Sequence, residues 1–413
     1  MFQKPKGTYD VTPKESHLWT TLESHIHALM KKYHYSYVRT PVFESYDVFH
    51  RQSEQSDMVN KETYDFKDRG DRMLTLKPEG TAGVIRSVIE NKLIQPGHVL
   101  PLYYMGPNYR YERPQKGRFR EFYQFGVEVI GDAHPSLDAD VMILAYELIQ
   151  GLNIPNVTIK MNYIGTTETR AKYTTALVSY FLPLKDSLSK ESQLRLEKNP
   201  LRILDSKQKE DQTYISQAPN IYAFLTSEEA SYLDAVMMLL KANQVNVELD
   251  HTLVRGLDYY AHIVFEIQAD VEGLGSQNAL GGGGRYDHLV KELGGPDISG
   301  IGFAFGMERL LLAMDTSDPS NQVDIMIITQ DEKIFPYAYE LLTQFRAQGF
   351  NVFYDFAYKS MKSQLKQASQ LGATHAIIIG EDEVKNNTVT IKNLIAFEQI
   401  TIPKQDINTY IKK

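Results

Sequence analysis

The segment RYERPQKGRFREFYQFGVEVIG, from Arg110 to Gly131, carries the residues best suited to chemistry. In a strand, side chains alternate between the two faces. Phe122, Gln124, Gly126 and Glu128 then share one face, and Tyr123, Phe125, Val127 and Val129 share the other. The second set is an ordinary apolar core. The first combines an aromatic ring, an amide, a glycine and a carboxylate, a poor core but a sensible floor for a polar ligand. Arg110 and Glu112, on the preceding strand, also share a face. An arginine fork binds phosphate, a phenyl ring stacks on a base and a carboxylate accepts from an exocyclic amine, so the set suits a nucleotide. A solvated sheet with surface ion pairs explains most single charges of this kind. Four aligned positions count against it here.

Other residues pose the same question singly. In LVRGLDYYAH, residues 253–262, Arg255 stands among β-formers, where a guanidinium removed from water needs an anion. Asp258 is one candidate and a ligand phosphate another. Arg309 lies in the otherwise apolar MERLLLAM, with Glu308 pointing elsewhere on a helix. Two such arginines favour a polyanionic ligand. The glycines at 281–284, before Arg285, read as a phosphate cradle or, more simply, as a turn. Glu79 in LKPEGTAG, residues 76–83, reads as a site residue or as a first-turn helix carboxylate.

The elements that must position these residues follow from the patterning. Residues 100–131 alternate as two antiparallel strands joined by a long basic loop, in which Arg110, Arg113, Lys116, Arg118 and Arg120 face Glu112 alone. VRTPVFES, residues 38–45, reads as a strand interrupted by Pro41, hence an edge or interface strand. From about 165 to 248 the periodicity turns helical, a helical insertion into a β-rich domain. Strand signals return at 253–267, and GIGFAFGMERLLLAM, residues 300–314, reads as a buried helix. DTSDPSNQ, residues 315–322, is a linker by composition. Beyond it, VDIMIIT, a helix over about 336–348, NVFYDF, a helix over 359–372 and HAIIIG alternate as βαβ units with a mostly parallel, mixed sheet. The fold class is α+β, with domains expected at 1–320 and 323–413.

Composition bounds the rest. At 413 residues two or three domains of roughly 150 residues are expected. Hydrophobic residues at 42% and charged residues at 23% fit a folded soluble chain. The absence of cysteine excludes disulfides, cysteine-ligated metals and thiol nucleophiles, and fits a reducing cytoplasm. No apolar run approaches the ~20 residues of a membrane span, so no membrane partner is expected. The net charge of −8 argues mildly against nonspecific nucleic-acid binding, although residues 323–413 are balanced.

These motifs resemble those of class II aminoacyl-tRNA synthetases, and specifically the histidyl-tRNA synthetase family, along essentially the whole chain. Pro41 looks like the proline of the first class II motif, residues 106–131 like the second and GIGFAFGMERLLL, with Arg309, like the third. LVRGLDYY at 253–260 and GGGRYD at 282–287 look like the histidine-specific signatures. The resemblance implies a class II antiparallel sheet flanked by helices, with ATP and L-histidine as substrates, tRNA(His) as partner and Mg2+ accompanying ATP on no dedicated protein site. A homodimer is implied in the same way. Carried over by position, Glu79, Thr81 and Gln124 would hold the α-amino group of histidine, and Glu128 and Tyr260 would read its imidazole, with Gly80 and Tyr259 in the same site. Arg110 and Arg255 would flank the α-phosphate as catalytic residues, Arg255 foremost. Glu112 and Phe122 would contact adenine, and Arg118 and Arg309 the distal phosphates. Gln115 and Arg120 would lie near the tRNA acceptor end. Lys359, Lys362 and Lys366, on one face of a helix whose other side is Met361, Leu365, Ala368 and Leu371, would face the anticodon. Taken alone, that helix reads equally well as a solvated lysine face.

Departures from the family pattern are Lys77 for arginine, Gly281 for cysteine and Glu121 for glutamine, with no glycine in RQSEQSDMVNKE, residues 51–62. Because Arg255 and Tyr260 have opposite strand parity, an irregularity is expected near Gly256. Two other readings stay open: a catalytically reduced paralogue that senses histidine or regulates its biosynthesis, and a nucleotide-binding module without amino-acid chemistry.

Overall fold

The computed structural model describes residues 2–51, 57–115, 117–131, 133–255, 259–271, 278–314 and 323–411. Two compact units divide the chain, Met1–Thr316 and Ser317–Lys413. The linker expected at 315–322 lies outside the described residues.

The first unit is built on an eight-stranded sheet in the order Ser36–Tyr37, Leu100–Tyr109, Glu121–Ile130, Gly300–Gly306, Ala279–Tyr286, Ala261–Ala269, Val157–Gly165, Val247–Leu249. Neighbours pair antiparallel through the centre, and only the two short edge strands pair parallel. Strand alternation then sorts the residues. Phe125, Val127 and Val129 join Phe265, Phe303 and Phe305 in the main core, under the helices Ser16–Lys32, Pro135–Gly151 and Ser227–Ala242. The last of these starts where Thr226 and Glu229 close a reciprocal capping box. On the opposite face Leu102, Tyr104, Ile130 and Tyr286 meet Val84, Ile85 and Val88 of the helix Thr81–Glu90, but only along part of the sheet. The uncovered stretch is the site described below.

Residues 300–314 do not form one helix. Gly300–Gly306 is a central strand and only Met307–Ala313 is helical. The period is two: Ile301, Phe303 and Phe305 enter the core, while Gly302, Ala304 and Gly306 face the site. The glycines at 281–284 likewise form neither turn nor loop but the middle of Ala279–Tyr286. A Cβ on Gly281 would stand 2.3 Å from the Ala304 carbonyl, and one on Gly282 2.5 Å from the Phe265 carbonyl. At Gly281 there is therefore no room for the cysteine common in the family. The run 38–45 also breaks, into Ser36–Tyr37 on the large sheet and Phe43–Ser45 on a small one with Met73–Leu76 and Tyr64–Lys67. Pro41 lies between them, where its missing N–H costs no ladder bond.

Between the strands Val157–Gly165 and Val247–Leu249 run the helices Thr167–Phe181, Lys190–Lys198, Lys209–Ile215 and Ser227–Ala242. The first three enclose a core of their own around Tyr173, Leu177, Phe181, Ile203 and Ile215. Asp211 organises it by accepting from the hydroxyls of Ser189, Ser192 and Ser206 at 2.8, 2.7 and 2.5 Å.

The second unit carries a mixed sheet in the order Val352–Tyr354, Ile325–Ile328, His375–Ile378, Thr388–Asn393, Gln399–Pro403. The first three strands are parallel and the last two antiparallel. The helix expected from 359 begins at Met361 with Ser360 as its cap, so Lys359 precedes it. Its inner side also differs. Met361 is exposed, whereas Gln364 is fully buried and donates to the Thr329 carbonyl at 2.6 Å.

Candidate active site

A cavity of about 310 Å3 opens on the uncovered sheet face. Glu79, Thr81, Arg110, Glu112, Arg118, Phe122, Gln124, Glu128, Arg255, Tyr259, Tyr260 and Arg309 all line it, brought together from separate stretches of chain around 79–81, 110–128, 255–260 and 309. Four of the predicted groups lie elsewhere. Gly80 caps the helix Thr81–Glu90, where a Cβ would fall 2.1 Å from the Tyr104 ring. Gln115 sits exposed in the basic loop, bridged to Arg118 through the backbone. Arg120 lies over the Tyr111 ring at 4.0 Å. Lys359, Lys362 and Lys366 are exposed in the second unit, Lys359 within 3.4 Å of Asp355.

One end of the cavity is buried. Glu128 is 1% exposed and accepts from the Thr81 hydroxyl at 2.7 Å and the Tyr286 hydroxyl at 2.8 Å. Burial outweighs those bonds and pushes its carboxyl up to about 8, so it keeps its proton at neutral pH. Tyr260 is pushed up to about 12, again by burial, and remains a hydroxyl donor. Glu79 has both functions considered for it: it lines the cavity, and it caps the helix by accepting from the N–H groups of Thr81 at 2.5 Å and Ala82 at 2.9 Å. Gln124 is oriented through its carbonyl by Asn108 at 2.8 Å.

The other end is open and cationic. Arg110 donates from Nε to the Pro78 carbonyl at 2.9 Å and lies 5.2 Å from the Phe122 ring centre. Glu112 stands 3.8 Å from Arg110 and 3.6 Å from Arg118. Burial, with the neighbouring guanidiniums of Arg118 and Arg255, lowers the hold of Arg309 on its proton. A polyphosphate would relieve that crowding of like charge.

Arg255 pairs with Glu266 at 2.6 Å, which answers the need for an anion; Asp258 lies outside the described residues. Arg255 is not on the strand, which starts only at Ala261, so the parity conflict with Tyr260 does not arise. Gly256 is likewise outside the described residues. The described irregularity is at His262, with φ of 54°, where the register against both neighbouring strands shifts.

Sequence reasoning missed Tyr104, Glu266, Tyr286, Gly302 and Glu308, all lining the cavity. Glu266 was legible: in AHIVFEIQA it alternates with Phe265 and Ile267, which enter the core. Arg285 turns away from the cavity. It is fully buried with Asp138, Nε donating to Oδ1 at 2.9 Å.

Comparison with known proteins gives this geometry its relatives. Residues 7–310 match the family described as histidyl-tRNA synthetase, and residues 322–413 the anticodon binding domain. The chain is 50% identical to the histidine–tRNA ligase of Acholeplasma laidlawii, covering 99% of each, and 45% identical to that of Lacticaseibacillus casei, covering 98% of this chain and 96% of the relative. The crystal structure of apo Staphylococcus aureus histidyl-tRNA synthetase superposes with a TM-score of 0.82 at 37% identity, over 100% of both chains. With its class II sheet, its two-ended cavity and relatives matched end to end, the chain belongs to the histidyl-tRNA synthetase family.

Proposed function

We propose that this chain is a histidine–tRNA ligase, which activates L-histidine with ATP and transfers it to the 3′ end of tRNA(His). The observation that carries the reading is the two-ended cavity, with a buried Glu128 framed by hydroxyls at one end and Arg110, Arg118, Arg255 and Arg309 toward the other. An imidazole needs partners on both ring nitrogens, and a triphosphate needs cations.

In the first step a histidine carboxylate oxygen attacks the α-phosphorus, the bond to the β-phosphate breaks, and pyrophosphate leaves. Arg255 and Arg110 flank the α-phosphate and stabilise its developing charge, so the protein contributes alignment and positive charge rather than a covalent intermediate. Glu79, Thr81 and Gln124 take the α-ammonium, beside Gly80. Glu128 and Tyr260, backed by Tyr259, read the imidazole; a wrong side chain would leave them unpaired in the dark end of the site. Phe122 and Glu112 take adenine, and Arg118 and Arg309 the distal phosphates. In the second step the terminal ribose hydroxyl of the tRNA attacks the aminoacyl carbonyl and AMP leaves.

Mg2+ accompanies ATP in this reading. Glu112 and Glu266 are the hard oxygen donors nearest the phosphate arginines, and among the described residues no group of three or more His, Asp or Glu is placed to hold a metal. Gln115 and Arg120 lie toward the acceptor end, and Lys359, Lys362 and Lys366 toward the anticodon. The protein works in the cytoplasm as a homodimer. Val42, Phe43, Phe66 and Met73, exposed beside Pro41, support an interface there, and a monomer in light scattering would overturn it.

The test is pyrophosphate exchange into ATP with each amino acid offered separately. Exchange with histidine alone, lost in Arg255→Ala, supports the ligase. Histidine binding without exchange would point to a regulatory paralogue.

A further inference from the structure

Residues 7–9, in the N-terminal stretch KGTYD, touch both halves of the phosphate-facing apparatus. The Tyr9 hydroxyl donates to Glu308 Oε1 at 2.6 Å, and the same oxygen accepts the N–H of Tyr123 at 2.7 Å. That N–H lies just past the last residue paired with the strand Gly300–Gly306, where the ladder no longer serves it. Glu308, 8% exposed, is the immediate neighbour of Arg309. The Tyr9 ring meets Phe119, a cavity-lining residue of the basic loop, with centres 4.8 Å apart. Two residues earlier the Gly7 carbonyl accepts the N–H of Arg120 at 2.8 Å. Gly7 has φ of 88°, and a Cβ there would stand 2.7 Å from Arg120 Cγ, so the segment is fitted to the loop it holds.

A long loop rich in like charge has little reason to hold one shape before its ligand arrives. Its own contacts cluster at the strand end, where Glu112 faces Arg110 and Arg118 at 3.8 and 3.6 Å and Arg120 lies over the Tyr111 ring; nearer the tip there is the short backbone bridge between Gln115 and Arg118. The N-terminal stretch adds anchors at Phe119 and Arg120, on either side of which stand Arg118 and the strand that carries Phe122.

We infer that residues 7–9 form a strap that positions the ATP-binding loop against the helix carrying Arg309, with Tyr9 as a positioning residue that never touches substrate. The inference rests on the assignment of Arg118 and Arg309 to the phosphates of ATP. The expected signature is selective, because among the described residues the strap's contacts fall on Glu308, Phe119, Arg120 and Trp19 and not on the histidine end of the cavity.

Tyr9→Phe keeps the ring and removes the hydroxyl. In histidine-dependent pyrophosphate exchange it should raise KM for ATP by roughly tenfold, the scale of one lost hydrogen bond to a charged group, and leave KM for histidine unchanged. Trp19, the only tryptophan, packs between Tyr9 and Tyr123 with ring centres at 6.2 and 5.4 Å, so its unchanged emission would show that the packing survives. Gly7→Ala, pressing on Arg120 instead, should give the same selectivity. An unchanged KM for ATP in both variants would overturn the strap, as would a parallel rise in both KM values. Absence of exchange in the parent protein would instead sink the ligase assignment itself.

Discussion

Arg255 and Glu266 are joined at 2.6 Å inside the cavity, a cation and an anion that each line the wall the substrates would meet. The pairing holds the guanidinium ready at its place instead of leaving it to search among rotamers. Glu266 is itself fixed by Gln268, whose amide donates to its other oxygen at 2.7 Å. Arg255→Ala should lower histidine-dependent pyrophosphate exchange by a factor of about 10³ or more, in the range of losing a preorganised charge donor. Glu266→Gln should cost roughly tenfold in kcat, with a smaller change in either KM. Equal losses in the two variants would mean that Glu266 does more than orient Arg255.

The protonated Glu128 predicts a dependence of stability on pH. Its native carboxyl keeps its proton to about pH 8, whereas the unfolded chain releases it near the ordinary glutamate value of 4.5. Between those values the unfolded state binds fewer protons, so this group makes the protein less stable as pH rises, and the effect levels off above about 8. Glu128→Gln removes the titration. Its melting temperature should rise relative to the parent between pH 5 and pH 8 and then run parallel, while histidine activation is lost. A constant difference across that range would show that Glu128 does not titrate there.

Behind the cavity, Arg285 and Asp138 are both fully buried, and Tyr232 also donates to Asp138 at 2.9 Å. Removing one partner strands the other charge, at about 3–5 kcal/mol. Asp138→Leu alone should therefore lose about 3–5 kcal/mol of stability, and the double variant Asp138→Leu with Arg285→Met should recover much of the loss. Chemical denaturation of the three proteins measures it.

In the second unit Lys362 and Lys366 are exposed, while Lys359 has Asp355 at 3.4 Å. Replacing Lys362 and Lys366 together with alanine should raise KM for tRNA several-fold and flatten its salt dependence, leaving pyrophosphate exchange untouched. Lys359→Ala should do less. If exchange falls too, the lysines support folding rather than tRNA binding.

Much of this was legible wherever one period ran long enough. Alternation from Phe122 to Val129 separates core from cavity face, as the structure does. It fails at Gly300–Gly306, where glycine and apolar residues alternate and the pattern suggests a helix, because glycine on a face leaves no polar mark. The same blindness turned the central strand Ala279–Tyr286 into a turn. Contacts between distant stretches left no local trace at all. Nothing near Arg255 names Glu266 as its partner, and nothing near Tyr9 names Glu308.

The run Gly281–Gly284 has one more consequence. A Cβ at any of the four would come within 3 Å of a neighbouring strand's carbonyl oxygen, on one face or the other. Where Gly281 and Gly282 line the cavity, its wall is bare main chain, with no rotamers to settle when a ligand arrives. Binding there freezes no side-chain motion and finds its surface already in final form. Selectivity is left to side chains such as Glu128 and Tyr260, which sit on other strands and loops, and the stretch that cannot adapt never has to.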